Sequence, residues 1–202
     1  MLRKSFILSC LFFLMLFNIC FAQEQTKPLK VAIMPIVTDV SGYKNVKAQL
    51  YNSLKQQMHI PLNDTLQAVE YIDTETVYIA MQNSDFTNNQ NLDTLKYTAD
   101  LLNADIIVGY SVSNMLQRYF YLSSHLHGSP VINCYISLKL WAYYRPLDKT
   151  IDLSTNKNYL GSLTTSGLLP ALASDASYYL NKKADLKTLL KKSIQIQKGD
   201  VQ

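Results

Sequence analysis

The residues that could carry chemistry in this chain are few. His125-Leu126-His127 would place two imidazoles on one side of an extended segment, a weak start on a metal site whose further ligand must come from elsewhere. Beside Gly128 the same pair also reads as two solvated loop histidines. Cys134 with a histidine could form a nucleophile pair, but it lies in phase with Ile132 and Ile136 and so reads as a small core hydrophobe. The nearest approach to a nucleophile elbow, Gly109-Tyr110-Ser111-Val112-Ser113, ends in serine and lies inside an apolar run. A phosphate-cradling glycine loop and a His-Glu-x-x-His pair are both absent from the sequence. No catalytic residue, cofactor site or firm metal site is therefore assigned, and His125 and His127 stand as the weak metal candidates.

Aromatic residues are the stronger signal. All fourteen tyrosines follow residue 22, and Tyr119, Phe120, Tyr121, Tyr135, Trp141, Tyr143 and Tyr144 crowd around one long hairpin. Tyr135, Trp141 and Tyr143 alternate with an apolar set, so they fall on the face opposite the core and need a helix, a partner or a ligand above them. Arg118 and Arg145 flank the region. Tyr119, Tyr121, Trp141, Tyr143, Arg118 and Arg145 are accordingly the candidate partner-binding residues.

The elements that must position these residues follow from periodicity. Lys30–Val37 (KVAIMPIV) is a continuous apolar run suited to a strand buried on both faces, fraying at Pro35. Asn45–His59 carries Val46, Leu50, Leu54 and Met58 at helical spacing. Ala68–Ile72 is a short strand, and Asp73-Thr74-Glu75 opens a helix with Val77, Ala80 and Met81 inward. Gln82–Asn91 reads as a polar loop with little to pack. Leu92–Asn103 is helical, and Asp105–Val112 is a strand. The order β-α-β-α-α-β means parallel pairing with right-handed crossovers.

The period then changes. Ile132, Cys134, Ile136, Leu138, Leu140 and Ala142 alternate strictly with Asn133, Tyr135, Ser137, Lys139, Trp141 and Tyr143, the mark of a long antiparallel strand. A polar turn at LSTNKN, a strand near Tyr159–Thr164 and a closing helix over Leu169–Ile196 complete the expectation. The fold class is α/β with a mixed sheet: a parallel part, then antiparallel strands and a carboxy-terminal helix.

The first residues belong to a different physical class. Arg3 and Lys4 precede the apolar stretch FILSCLFFLMLF, and Cys20-Phe21-Ala22 offers small residues for cleavage before Gln23. Residues 1–22 thus read as an export signal and 23–202 as one domain without repeat or linker. A retained anchor and a lipid on Cys20 are the other readings, although Ile19 and Phe17 stand where a lipidation motif needs a small residue and leucine. Losing residues 1–22 lowers the formal charge from +4 to +2, so nucleic acid is not an implied partner. Cys134 is then left without an internal disulfide partner. In the tail, Lys182, Lys183, Lys187, Lys191, Lys192 and Lys198 oppose few acids. Helix-dipole placement and solubility account for them, and an anionic lipid or wall polymer is the other reading.

Taken together, KVAIMPI, the helix NVKAQLYNSLKQQM, the strand AVEYID, the helix TETVYIAMQ and LKYTADLLNADIIVGYSV resemble a bacterial envelope fold. It is similar to the CsgG-type domain of curli secretion, the amino-terminal domain of TolB and the lipoprotein activators of penicillin-binding proteins. The shared helix-to-strand junction is carried here by Ala99, Leu102, Ala104, Asp105, Ile107, Val108 and Gly109, and the resemblance covers Lys30 to Ile196. It implies scaffolding and partner binding, with no catalytic residue to carry over. The chain departs from the lipoprotein members in lacking a lipidation motif. The expected function is an exported, non-enzymatic binding or assembly module of the cell envelope, soluble in the periplasm or outside the cell. A protein partner is expected, membrane contact comes only through the leader or a lipid, and a homo-oligomer is compatible. A metal-assisted envelope hydrolase and a self-assembling structural subunit are the alternatives.

Overall fold

The computed structural model describes residues 27–38, 40, 43–59, 68–121, 130–197 and 199. Its strands are β1 (Leu29–Ile33), β2 (Val37–Thr38), β3 (Val69–Tyr71), β4 (Ile106–Phe120), β5 (Val131–Tyr144) and β6 (Lys149–Ser162). Its helices are α1 (Lys44–Met58), α2 (Thr74–Asn83), α3 (Leu92–Leu101), α4 (Leu169–Ala184) and α5 (Leu186–Gln197). The sheet runs β3-β1-β4-β5-β6, with β2 beside β4. β1 pairs in parallel with β3 and β4, and β2 with β4, whereas the β4-β5 and β5-β6 pairs are antiparallel. The mixed α/β sheet read from the sequence is the sheet observed.

Period-2 alternation along β5 splits the core in two. Ile132, Cys134, Ile136, Leu138, Leu140, Ala142 and Tyr144 point to one face, where they meet α1, α4 and α5 through Leu50, Leu54, Met58, Leu172, Ala176, Leu180 and Leu190. A smaller cluster on the other face gathers Ala32, Met34, Val77, Met81, Phe86, Leu95, Ala99, Ile107 and Trp141 beneath α2 and α3. Apolar burial on this scale supplies most of the favourable free energy of folding. Two buried tyrosine hydroxyls in the large core find partners, while Asn181 Nδ2 is buried without one among the described residues. Tyr110 donates to Asn181 Oδ1 at 2.5 Å, and the Tyr144 hydroxyl lies 3.3 Å from the Leu186 carbonyl oxygen.

Local chemistry sets the helix starts and the first crossover. Asp73 accepts from the backbone N–H groups of Glu75 and Thr76 at the head of α2. Asn91 and Thr94 form a reciprocal capping box at the head of α3. Asp105, at the turn from α3 into β4, accepts from the backbone N–H of Lys30 through Oδ2 at 2.8 Å, tying that turn to β1. Gly109 lets Met34 lie against β4, since a Cβ there would fall 2.6 Å from Met34 Cβ.

Four sequence expectations are corrected. The run KVAIMPIV is two strands, because Pro35 lies in the break between β1 and β2. LSTNKN is not a turn but the middle of the fourteen-residue β6. That strand is at the sheet edge, so polar residues are tolerated on both of its faces. The loop after α2 does pack: Phe86 is 0% exposed, and Ser84 bonds Thr98 at 2.6 Å beneath it. Finally, the closing helix is two helices, broken where Asp185 takes a left-handed conformation at φ 52°.

Candidate functional site

The second face of the sheet has two unlike halves. Near the β4 start, α2, α3 and the Phe86 loop cover it. Trp141 lies beneath them at 2% exposure, its ring edge-to-face with Phe86 at 5.8 Å, and its indole nitrogen donates to Ser111 Oγ at 2.9 Å. Trp141 is thus a core residue rather than part of an open partner face. The helices over it bring their own apolar stripe, in which Val77, Met81, Leu95 and Ala99 are buried. Tyr143, next on that face, is half-buried, with Lys96 Nζ 5.4 Å from its ring centroid. The cover ends at Lys139, whose ammonium stands 3.6 Å above the Trp141 ring and 2.9 Å from Asp152.

Beyond Lys139 the ladder continues with no helix assigned to this face among the described residues. A register shift between Val112 and Asn114 puts Met115 in the main core and sends Leu116, Arg118 and Phe120 to the second face. The rungs there are Leu116–Tyr135–Asn158, Arg118–Asn133–Leu160 and Phe120–Val131–Ser162. Leu160 is 67% exposed, Phe120 and Arg118 are exposed, and Leu116, Val131 and Tyr135 are half-buried. Five of these nine side chains are apolar or aromatic and one arginine stands in the middle rung, and aromatic residues and arginine are enriched in protein interfaces. β6, which borders it, pairs only with β5 among the described residues and leaves a fourteen-residue edge.

The six candidates from the sequence therefore scatter. Arg118 belongs to the distal face. Tyr119 alternates to the opposite face, where its hydroxyl meets Gln117 Nε2 at 2.6 Å, and Tyr121 is 75% exposed past the end of β4. Arg145 is at the other end of the ladder, paired with Asp100 at 2.7 Å. Ile106 faces Tyr144 and Arg118 faces Asn133, so the two arginines are separated by roughly 40 Å of strand. His125 and His127 lie outside the described residues. Among the described residues no three His, Cys, Asp or Glu side chains stand together as a metal site. Leu116, Val131 and Leu160 are residues of this distal face that sequence reasoning did not single out. The signal for Leu160 was its place beside Gly161 in a segment otherwise polar on that face.

On the opposite side a cavity of about 350 Å³ opens between the first turns of α1 and α4, lined by Tyr43, Lys44, Asn45, Val46, Gln117, Leu169 and Pro170. Gln117 organises it: its Oε1 accepts from the Leu169 N–H at 2.9 Å, and its own N–H donates to the Tyr43 hydroxyl at 3.2 Å. Cys134 Sγ lies 3.7 Å from the same Oε1. Burial pushes the Cys134 thiol up from its ordinary value, against a smaller opposing effect of the Leu169 backbone. A thiol held protonated in this way is a poor nucleophile.

Neither a protein-family model nor a curated protein matches the chain. Several solved structures are similar in fold. The hypothetical protein CT253 from Chlamydia trachomatis is 12% identical with a TM-score of 0.45, over 81% of this chain and 98% of that one. Lipoprotein GNA1162 from Neisseria meningitidis is 15% identical with a TM-score of 0.41, over 78% of this chain and 99% of that one. The LpoB C-terminal domain from Salmonella enterica is 11% identical with a TM-score of 0.34, over 70% of this chain and 90% of that one.

Proposed function

We propose that this chain is an exported, non-enzymatic binding or assembly module of a bacterial envelope, and that it holds a protein partner on the distal half of the second sheet face. One observation carries the reading. The same face that is roofed over Trp141 has no helix among the described residues over Leu116, Arg118, Phe120, Tyr135 and Leu160, where Phe120 and Leu160 are exposed and Leu116 and Tyr135 half-buried. The export-type leader and the resemblance of Lys30–Ile196 to envelope scaffolding domains support the compartment. Photoreactive residues placed at Phe120 and Leu160 in the producing cell should yield adducts with one protein, and the same residue at Tyr97, on α3, should not. No adduct from the distal positions, or equal adducts from all three, overturns the reading.

A second reading, the self-assembling subunit, is favoured by the edge of β6, which offers backbone donors and acceptors over fourteen residues. Sizing the exported protein separates the two, because assembly through β6 raises its mass by whole copies. The metal-assisted hydrolase rests on His125 and His127, and metal analysis of the purified protein with and without His127→Ala decides it.

A further inference from the structure

We infer that the outer face of α5 docks on an anionic lipid bilayer, at the pole of the domain where the amino-terminal segment enters. The helix buries Leu186, Leu189, Leu190 and Ser193 and turns Lys187, Lys191 and Lys192 to solvent. Its sequence, LKTLLKKSIQIQ, contains no acid to offset them. None of the three is in an ion pair among the described residues, whereas Lys139, Lys157 and Arg145 each have an aspartate.

The helix dipole does not account for this set. Lys182 and Lys183 are in the last turn of α4, where a cation is favoured. Lys187 is in the first turn of α5, at the positive end, and Lys191 and Lys192 stand mid-helix. The three lysines are thus free to meet a negative partner outside the chain. Ile196, exposed near the end of the same helix, adds an apolar group able to enter a headgroup layer.

The chain path favours a bilayer over a soluble polyanion. Gln197 Nε2 donates to the backbone carbonyl of Lys27, so the exposed Lys27 lies against the end of α5. In the sequence, the apolar stretch ends at Phe21, and residues 22–26 span at most about 20 Å when extended. Whenever that stretch is held in a membrane, during export or afterwards, α5 is brought to the headgroups. The distal face proposed to hold a protein is roughly 40 Å up the sheet. Both surfaces can therefore be occupied at once. Membrane contact then extends beyond the leader or a lipid, and in the cleaved protein it is peripheral and salt-sensitive.

Lysine acetylation rates, read by mass spectrometry on the exported protein, test this site by site. With vesicles of phosphatidylglycerol and phosphatidylcholine, Lys187, Lys191 and Lys192 should be protected about threefold or more, and Lys44 and Lys47 on α1 should not. About 0.5 M sodium chloride, which shortens the screening length to about 4 Å, should abolish the protection. The triple variant Lys187→Gln, Lys191→Gln, Lys192→Gln should lose salt-sensitive binding, while Lys44→Gln with Lys47→Gln keeps it. Equal rates with and without anionic vesicles overturn the inference, as does equal protection by pure phosphatidylcholine. Protection by soluble polyglutamate with none by vesicles also overturns it, in favour of a polymer ligand.

Discussion

The indole nitrogen of Trp141 donates to Ser111 Oγ at 2.9 Å, joining β5 to β4 inside the smaller of the two cores. The bond fixes the only tryptophan of the chain beneath α2 and α3 and satisfies a donor that burial would otherwise orphan. Trp141→Ala should therefore cost about 3–5 kcal/mol of stability, as deletion of a buried aromatic does. A thermal melt measures it. A melting temperature unchanged by the substitution would place Trp141 outside the core.

Gly109 and Met34 make a second prediction. With 2.6 Å between a built Cβ and Met34 Cβ, the neighbour cannot swing aside, because its Cβ is fixed by the backbone that bonds Val108. Gly109→Ala should destabilise by about 1–3 kcal/mol through overpacking. Urea unfolding should show a lower midpoint at the same slope. No change in midpoint would mean that the β1-β2 connection yields freely.

How much of this was legible in the sequence depends on where each residue's neighbours come from. The alternation from Ile132 to Ala142 separates the two faces of β5 because its neighbours are two residues away. The partner of Asp105 was not readable in this way, because the N–H it accepts from belongs to Lys30 in β1, far away in sequence. The cover over Trp141 was not readable. Its main aromatic contact, Phe86, is one apolar residue in a polar ten-residue segment and generates no period. The end of β6 near Tyr159 was legible, but residues 149–158 escaped because an edge strand with one open face buries almost nothing but Ile151. The scatter of the two arginines follows from strand length: Arg118 is near the turn end of the β4-β5 pair and Arg145 just past its open end, a full fourteen-residue strand away.

Tyr110 and Tyr144 give the fold a specific response to alkali. Burial pushes both hydroxyls above the ordinary tyrosine value. Asn181 partly opposes this at Tyr110, and the charge of Asp185 adds to it at Tyr144. In the unfolded chain both ionise near pH 10, while the folded chain keeps its protons. Above pH 10 the folded state thus binds more protons than the unfolded one, and stability falls as pH rises. Below that value these groups leave stability flat. Each can contribute a slope of up to about 1.4 kcal/mol per pH unit. Denaturant titrations over about one pH unit either side of the ordinary tyrosine value should show a shallower decline for Tyr110→Phe with Tyr144→Phe. An identical decline in the double variant would exclude these hydroxyls as its source.

Leu160 and Phe120 separate a partner surface from a merely untidy sheet end. Both stand on the distal face, and neither belongs to either core cluster. Truncating Leu160 to alanine should shift folding stability by no more than about 0.5 kcal/mol, the usual range for exposed positions, and truncating Phe120, 37% exposed, by somewhat more. At the centre of an interface the same truncations should weaken binding by about 2 kcal/mol, close to thirtyfold in affinity. The protein recovered by cross-linking at these positions is the ligand to titrate. Arg118→Ala should act with them because it shares the middle rung with Leu160, whereas Arg145→Ala should leave affinity unchanged, its guanidinium being held by Asp100 at the opposite pole. Equal losses at Arg118 and Arg145 would move the partner off the distal face. A fall in melting temperature at Leu160→Ala would show instead that the bare end of the sheet is packed by the chain itself.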